Sequence, residues 1–253
     1  MGTTKRTTRK TAKSPPLIEE FNLEPGRILA GKYEVVSKLG EGWEGEVYLV
    51  EELGTGIARA AKLFFPARNP NDRTARFYAR KLHKLRQCPI LIQYFGHETF
   101  VHRGTRITFL VSEFVDGEML SELVARQPGK RLEAFQAVHL LHALARGIEE
   151  IHQMREYHGD LHSGNIIVQR FGLGMELKLL DLYHWSTPRP ENIRDDVVDM
   201  IKIFHESLGG KTHYARQPDE VKAICCGLKR SLILNKFRTA GRLRRYLETM
   251  EWS

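Results

Sequence analysis

Within the segment Tyr157–Ile167 of this 253-residue chain, His158 and Asp160 are followed by Asn165 and then by the apolar pair Ile166-Ile167. A carboxylate with a carboxamide five residues later is a pairing that suits phosphoryl transfer. The carboxylate orients and deprotonates a hydroxyl, and the carboxamide oxygen helps hold a divalent cation against phosphate groups. The pattern is moderately specific by itself; its weight depends on what lies before and after it.

Upstream, Gly40, Gly42 and Gly45 form a GxGxxG between two strand-like segments. A glycine-rich hairpin is the default reading of such a match. A dinucleotide fingerprint would need a helix directly after the glycines, and none begins here. The remaining option is a flap whose backbone amides cover phosphates. Lys62 follows in the apolar run Ala60-Ala61-Lys62-Leu63. An ammonium buried there wants an anionic partner, because an unpaired buried charge is costly. A lysine that snorkels from an edge strand explains the residue equally well. Downstream, Asp181 ends the apolar stretch Leu177–Leu180, sixteen residues after Asn165. Alone it would pass as a turn former. After the loop at 158–165 it is placed to be a metal ligand. Four such features in this order make accident a poor explanation.

The elements that must carry these residues follow from periodicity. Tyr33–Leu39, Glu46–Glu51 and Ile57–Phe64 read as short strands separated by Gly-bearing turns, and Ile107–Val115 as a buried strand. Asn71–Arg86, Leu132–Met154 and Arg194–Leu208 have helical spacing, and the last fifty residues predict two or three more helices. Strands first and helices later imply an α+β fold.

From about Tyr33 onward, these residues resemble the protein-kinase-like superfamily. The resemblance implies a bilobal fold with a small β-rich N-lobe over 23–115 and a helical C-lobe over 116–253. It implies ATP and Mg²⁺ as cofactors. The glycine loop (Gly40, Gly42, Gly45) would cover the nucleotide, with Val47, Ala60 and Ile167 around the adenine. Glu113 to Val115 would be the hinge, behind a small residue at Ser112. Lys62 would bind the α/β-phosphates, Asp160 would act as the base, and Asn165 and Asp181 would hold the metal. Asp196 resembles the buried Asp that supports the catalytic loop.

Several positions depart from the family pattern. The helix after the lysine strand should offer a Glu to Lys62, but spacing puts Tyr78 there, and no acid occurs between Asp72 and Glu98. Lys62 would then be oriented by Asp181 or by the phosphates. The Asp-Phe-Gly triplet reads Asp181-Leu182-Tyr183, and the catalytic loop reads His-Gly-Asp, without the Arg that receives an activation-loop phosphate. Asp195 lies only fourteen positions after Asp181, too few for a full activation segment. These departures predict a constitutively shaped site. With His162 after Asp160, the loop is similar to aminoglycoside-phosphotransferase-like small-molecule kinases, whereas Leu39–Val50 resembles bacterial Ser/Thr kinases. The expected function is ATP-dependent transfer to a hydroxyl, first of protein Ser/Thr. The alternatives are a small-molecule kinase and a pseudokinase scaffold.

Composition fits this class. Hydrophobic content of 42% and charged content of 28% are ordinary for a globular chain. No apolar run approaches the roughly 20 residues that span a bilayer, so no membrane span is expected. Three cysteines without metal-ligand spacing suit reduced thiols in a cytoplasmic protein. Of the net charge of +8, Lys5, Arg6, Arg9, Lys10 and Lys13 supply five before the first acid, Glu19. Residues 1–22 are therefore expected to be a disordered basic tail. A solvated tail is the default for it, and contact with nucleic acid or an acidic partner the minority reading. His139 and His142, one turn apart, read as ordinary helix residues rather than metal ligands.

Overall fold

Strands β1 (Ile28–Leu29), β2 (Tyr33–Gly42), β3 (Gly45–Glu52), β4 (Ile57–Phe64), β5 (Tyr94–His102) and β6 (Thr105–Glu113) form a six-stranded sheet in the order β1-β2-β3-β4-β6-β5. A second sheet joins β7 (Glu118–Met119), β8 (Ile166–Phe171) and β9 (Gly174–Leu179). The helices are α1 (Arg73–Lys84), α2 (Leu120–Ala125), α3 (Ala134–Gln153), α4 (Pro190–Ser207), α5 (Gly210–Tyr214), α6 (Asp219–Cys225), α7 (Arg230–Lys236) and α8 (Ala240–Thr249). This computed structural model describes residues 18–171, 174–182 and 187–251. The basic run before residue 18 and Tyr183 lie outside them. The chain divides into two compact units. One comprises the described residues as far as Ala75 with His97–Val111, and the other Arg76–Gly96 with Ser112 onward.

In the first unit, alternation sorts the strands into two faces. Tyr48, Val50, Ala61 and Leu63 join Leu29, Val35, Phe100, Ile107 and Phe109 in one buried cluster. Ile18 and Phe21 are also buried there, 2% and 1% exposed, although the sequence places them in a tail. The cause is a pair of polar residues on β3. Glu46 accepts a hydrogen bond from Phe21 N at 3.1 Å, and the Tyr48 hydroxyl accepts one from Leu23 N at 3.1 Å. Tyr48 in turn donates to Glu46. Burial and this neighbour push the Tyr48 hydroxyl up to about 12, so it remains protonated across the physiological range. Two backbone N–H groups are thereby satisfied, which lets the apolar side chains around them be buried.

In the second unit, α3 supplies Leu140, Leu141, Leu144, Ile148 and Ile151 to the core. It packs against α4 and α8. A Cβ on Gly241 of α8 would lie 2.2 Å from Glu149 Oε1, a close approach that glycine permits; one turn on, Arg244 Nε donates to Glu149 at 2.6 Å. Helix α4 begins four residues earlier than periodicity indicates. Pro190 takes the first helical position, where its missing N–H is no loss, and Arg189 N donates to Asn192 Oδ1 at 2.9 Å. After Leu208 there are four short helices among the described residues, not two or three.

Candidate active site

The first unit carries the glycine hairpin and the lysine. β2 and β3 pair as far as Gly42↔Gly45, with Trp43 and Glu44 at the tip. Gly45 is a steric requirement: a Cβ there would sit 1.8 Å from the Leu63 carbonyl oxygen on β4. Gly40 and Gly42 have nothing within 4 Å of a built Cβ, so their backbone borders open space. Val47 lies opposite Lys62 and Leu49 opposite Ala60, which puts Val47, Ala60 and Lys62 on one half-exposed face.

Lys62 has a carboxylate partner that does not come from helix α1. Its ammonium is 3.2 Å from Glu44 Oε2, with side chains only 14% and 17% exposed. The backbone sets this up, because Phe65 N donates to the Glu44 carbonyl at 2.9 Å and extends the β3–β4 ladder into the hairpin tip. Trp43 anchors the same tip with its ring 4.2 Å from the Arg68 guanidinium. Helix spacing directs attention to α1 for such an acid, whereas the acid lies inside the glycine loop itself.

The second unit carries the loop from His158 to Asn165. Asp196, fully buried on α4, accepts from His158 N and Gly159 N at 2.8 Å each, and its Oδ2 lies 2.9 Å from His152 Nε2. Gly159 has φ +82, a left-handed conformation that a Cβ would disfavour by about 1–2 kcal/mol. That turn aims successive amides at one carboxylate. His158 is wholly buried, and desolvation lowers its pKa from the usual imidazole value. As a neutral ring it donates from Nε2 to the Leu180 carbonyl at 2.9 Å and accepts at Nδ1 from Asp160 N at 3.3 Å. It ties the loop to the strand end that leads to Asp181.

Asp160 presents a 57% exposed carboxylate. Asn165, 7% exposed, donates through Nδ2 to the Asp160 carbonyl at 3.0 Å and to Asp160 Oδ2 at 3.2 Å. His162 caps the short turn before Asn165, its Nδ1 accepting from Gly164 N at 3.1 Å. The Asn165 carbonyl accepts from Leu180 N at 2.9 Å, next to Asp181 in the chain. Asp181 has φ +50, and its Oδ1 accepts from the Tyr78 hydroxyl at 3.3 Å. Tyr78 is the residue that stands where an acid was expected.

The segment Glu113–Gly117 is held in the same unit. Glu113 N donates to the Gln93 carbonyl at 2.8 Å, and its carboxylate accepts from Gln93 N at 3.1 Å and pairs with Lys178 at 3.0 Å. Val115 is buried. A Cβ on Gly117 would be 2.5 Å from Ile167 Cγ2, so the absence of a side chain lets this segment lie against β8. Each unit thus gathers its own expected residues: Gly40, Gly42, Gly45, Val47, Ala60 and Lys62 in one, and Glu113, Val115, Asp160, Asn165, Ile167 and Asp181 in the other. Elsewhere His142 Nε2 is 3.0 Å from Glu248, and His139 stacks edge-on with Phe135. Among the described residues no group of three His, Cys, Asp or Glu could hold a metal.

Residues 33–192 match the family model described as protein kinase domain. The chain is 30% identical over 156 residues to the serine/threonine-protein kinase pkn2 of Myxococcus xanthus, covering 61% of this chain and 18% of that protein. It is 29% identical over 188 residues to an Aurora kinase of Schizosaccharomyces pombe, covering 72% of this chain and 50% of that one. The chain therefore spans at most half the length of these two relatives. Among solved structures, the PknI kinase domain of Mycobacterium tuberculosis superposes with a TM-score of 0.65 at 20% identity, covering 89% of this chain and 98% of that domain. At that identity the likeness speaks for the fold alone. The family model extends over more than half of the sequence and spans the glycine hairpin, Lys62, Asp160, Asn165 and Asp181, so the chain belongs to the protein kinase domain family.

Proposed function

We propose that this chain transfers the γ-phosphate of ATP to a serine or threonine hydroxyl of a protein. The observation that carries the reading is the Asp160–Asn165 pair: an exposed carboxylate held in place by a buried carboxamide, beside the strand end that delivers Asp181. Membership of the protein kinase domain family and the likeness to a serine/threonine-protein kinase of Myxococcus xanthus favour protein Ser/Thr as acceptor.

In this mechanism Asp160 accepts the hydroxyl proton as the hydroxyl oxygen attacks the γ-phosphorus. The bond from that phosphorus to the β,γ-bridging oxygen breaks, and ADP leaves with the electron pair. Lys62 neutralises phosphate oxygens, and the open backbone at Gly40 and Gly42 approaches them. The family resemblance assigns Val47, Ala60 and Ile167 to the adenine and the backbone of Glu113–Val115 to its edge. The donor chemistry fits a divalent metal. Asn165 commits Nδ2 to Asp160, which leaves Oδ1 as its ligand atom, and Asp181 adds a carboxylate. Hard oxygen donors completed by phosphates and water are what Mg²⁺ prefers, so a cage of three protein carboxylates is not required. When bound, the ion offsets the charge on the transferring phosphoryl group. Among the described residues no helix is long and apolar enough to cross a membrane.

Replacing Asp160 with Asn should lower transfer from labelled ATP to lysate protein by at least ~100-fold, the usual worth of a positioned base, while nucleotide binding persists. Transfer by the variant at the wild-type rate would sink the assignment. Label appearing only on a metabolite, and never on protein, would move the acceptor to small molecules.

A further inference from the structure

The position on α1 where the family resemblance looks for an acid holds a neutral donor, and that donor is bonded to a different target. Tyr78 is 4% exposed and lies on the buried face of α1 with Ala75 and Leu82, and Leu85 just past the helix is buried as well. A phenol hydroxyl buried this deeply needs a polar partner. It finds Asp181 Oδ1 at 3.3 Å. The acceptor is a carboxylate, which favours an O–H donor, and at 3.3 Å the bond is long for a hydroxyl.

The backbone around Asp181 is fixed as well. Leu179 N donates to the Ile90 carbonyl at 2.7 Å, Leu180 N donates to the Asn165 carbonyl at 2.9 Å, and the Leu180 carbonyl accepts from His158. Asp181 itself sits at φ +50, an uncommon conformation that persists only where its surroundings hold it. With the main chain set by these bonds, the side-chain torsions decide where the carboxylate points, and Tyr78 acts on them. An acid at position 78 would instead place a second negative charge against Asp181 and favour protonating one of the two.

We propose that Tyr78 is a positioning residue for the metal site: its hydroxyl orients the Asp181 carboxylate, so that α1 serves the metal ligand in this chain. The proposal rests on the phosphotransferase reading above, in which Asp181 holds the cation. Partners that hydrogen-bond a ligating carboxylate typically contribute 10- to 100-fold in metal affinity.

The test replaces Tyr78 with Phe, which keeps the ring and removes one oxygen. ADP binding is measured by thermal shift and by calorimetry, without metal and across a MgCl₂ titration. Metal-free ADP affinity should stay within about two-fold of wild type, while the Mg²⁺ concentration giving half of the metal-dependent gain should rise about 10-fold. Tyr78→His, which offers an N–H donor from the same site, should give an intermediate midpoint and serves as the comparison if the Phe variant does not fold. A wild-type protein whose ADP binding ignores Mg²⁺ would overturn the underlying reading and this proposal together. A wild type that responds, beside variants with the same Mg²⁺ midpoint, would overturn the role of Tyr78 alone. So would equal losses with and without metal, because those mark general damage to the packing of α1.

Discussion

Lys62 and Glu44 show how a single residue can supply what a helix does not. An ammonium only 14% exposed is costly without an anion, and α1 brings it none, having no acid along its length. The glycine loop supplies one, and the cost of holding it is small because the Glu44 backbone is already bonded to Phe65. Glu44→Gln should therefore reduce unfolding free energy by about 1–2 kcal/mol, between the values for exposed and for buried pairs. In the proposed site the nucleotide phosphates bring negative charge to the same ammonium. Denaturant unfolding repeated with saturating nucleotide should thus show a smaller difference between wild type and variant. An equal difference in both conditions would mean that Lys62 does not meet the phosphates.

At the scale of elements, the β2–β3 hairpin owes its position to one glycine and leaves two others in the open. Gly45→Ala drives a methyl into the Leu63 carbonyl and should cost about 1–3 kcal/mol through strand displacement. Gly40→Ala meets nothing within 4 Å and should change stability by under about 0.5 kcal/mol. Thermal melts of the two variants side by side would decide the matter, and similar losses would contradict the close packing of β3 on β4 at Gly45. The GxGxxG spacing was visible in the sequence, but this division of labour was not. It depends on which glycine the Gly45↔Phe64 register brings under the neighbouring strand.

For the whole molecule, the pH dependence of stability has an unusual contributor in Lys81. It is 8% exposed, its Nζ lies 4.2 Å from the Tyr157 ring centroid, and Glu156 is 3.9 Å away. Desolvation outweighs the pull of Glu156 and Asp196, with Lys84 adding repulsion, and pushes Lys81 down to about 8 from 10.5. The folded state then releases a proton that the unfolded chain keeps, so this residue adds stability as pH rises from about 8 to 10.5 and adds none below that window. Across those values the unfolding free energy of wild type should rise relative to Lys81→Met by a few kcal/mol. Parallel profiles for the two proteins would show that Lys81 remains charged in the fold.

The local order of chemistry-bearing residues was readable from the sequence. The His158–Asn165 loop, the glycine spacing, Lys62 and Asp181 were named from residue type and separation, because the chemistry constrains each motif within a few positions. Strands β2, β3, β4 and β6 and helices α1, α3 and α4 were visible because each repeats its apolar residues at its own period. What stayed hidden was everything set by partners distant in the chain. Glu44 as a counter-ion of Lys62, Tyr78 as a donor to Asp181 and the burial of Ile18 and Phe21 by Glu46 and Tyr48 all depend on strand register and helix facing. Sequence alone thus determined which groups could perform the reaction; only the tertiary structure decided which neighbours hold them, because long-range contacts leave no periodic trace in a single chain.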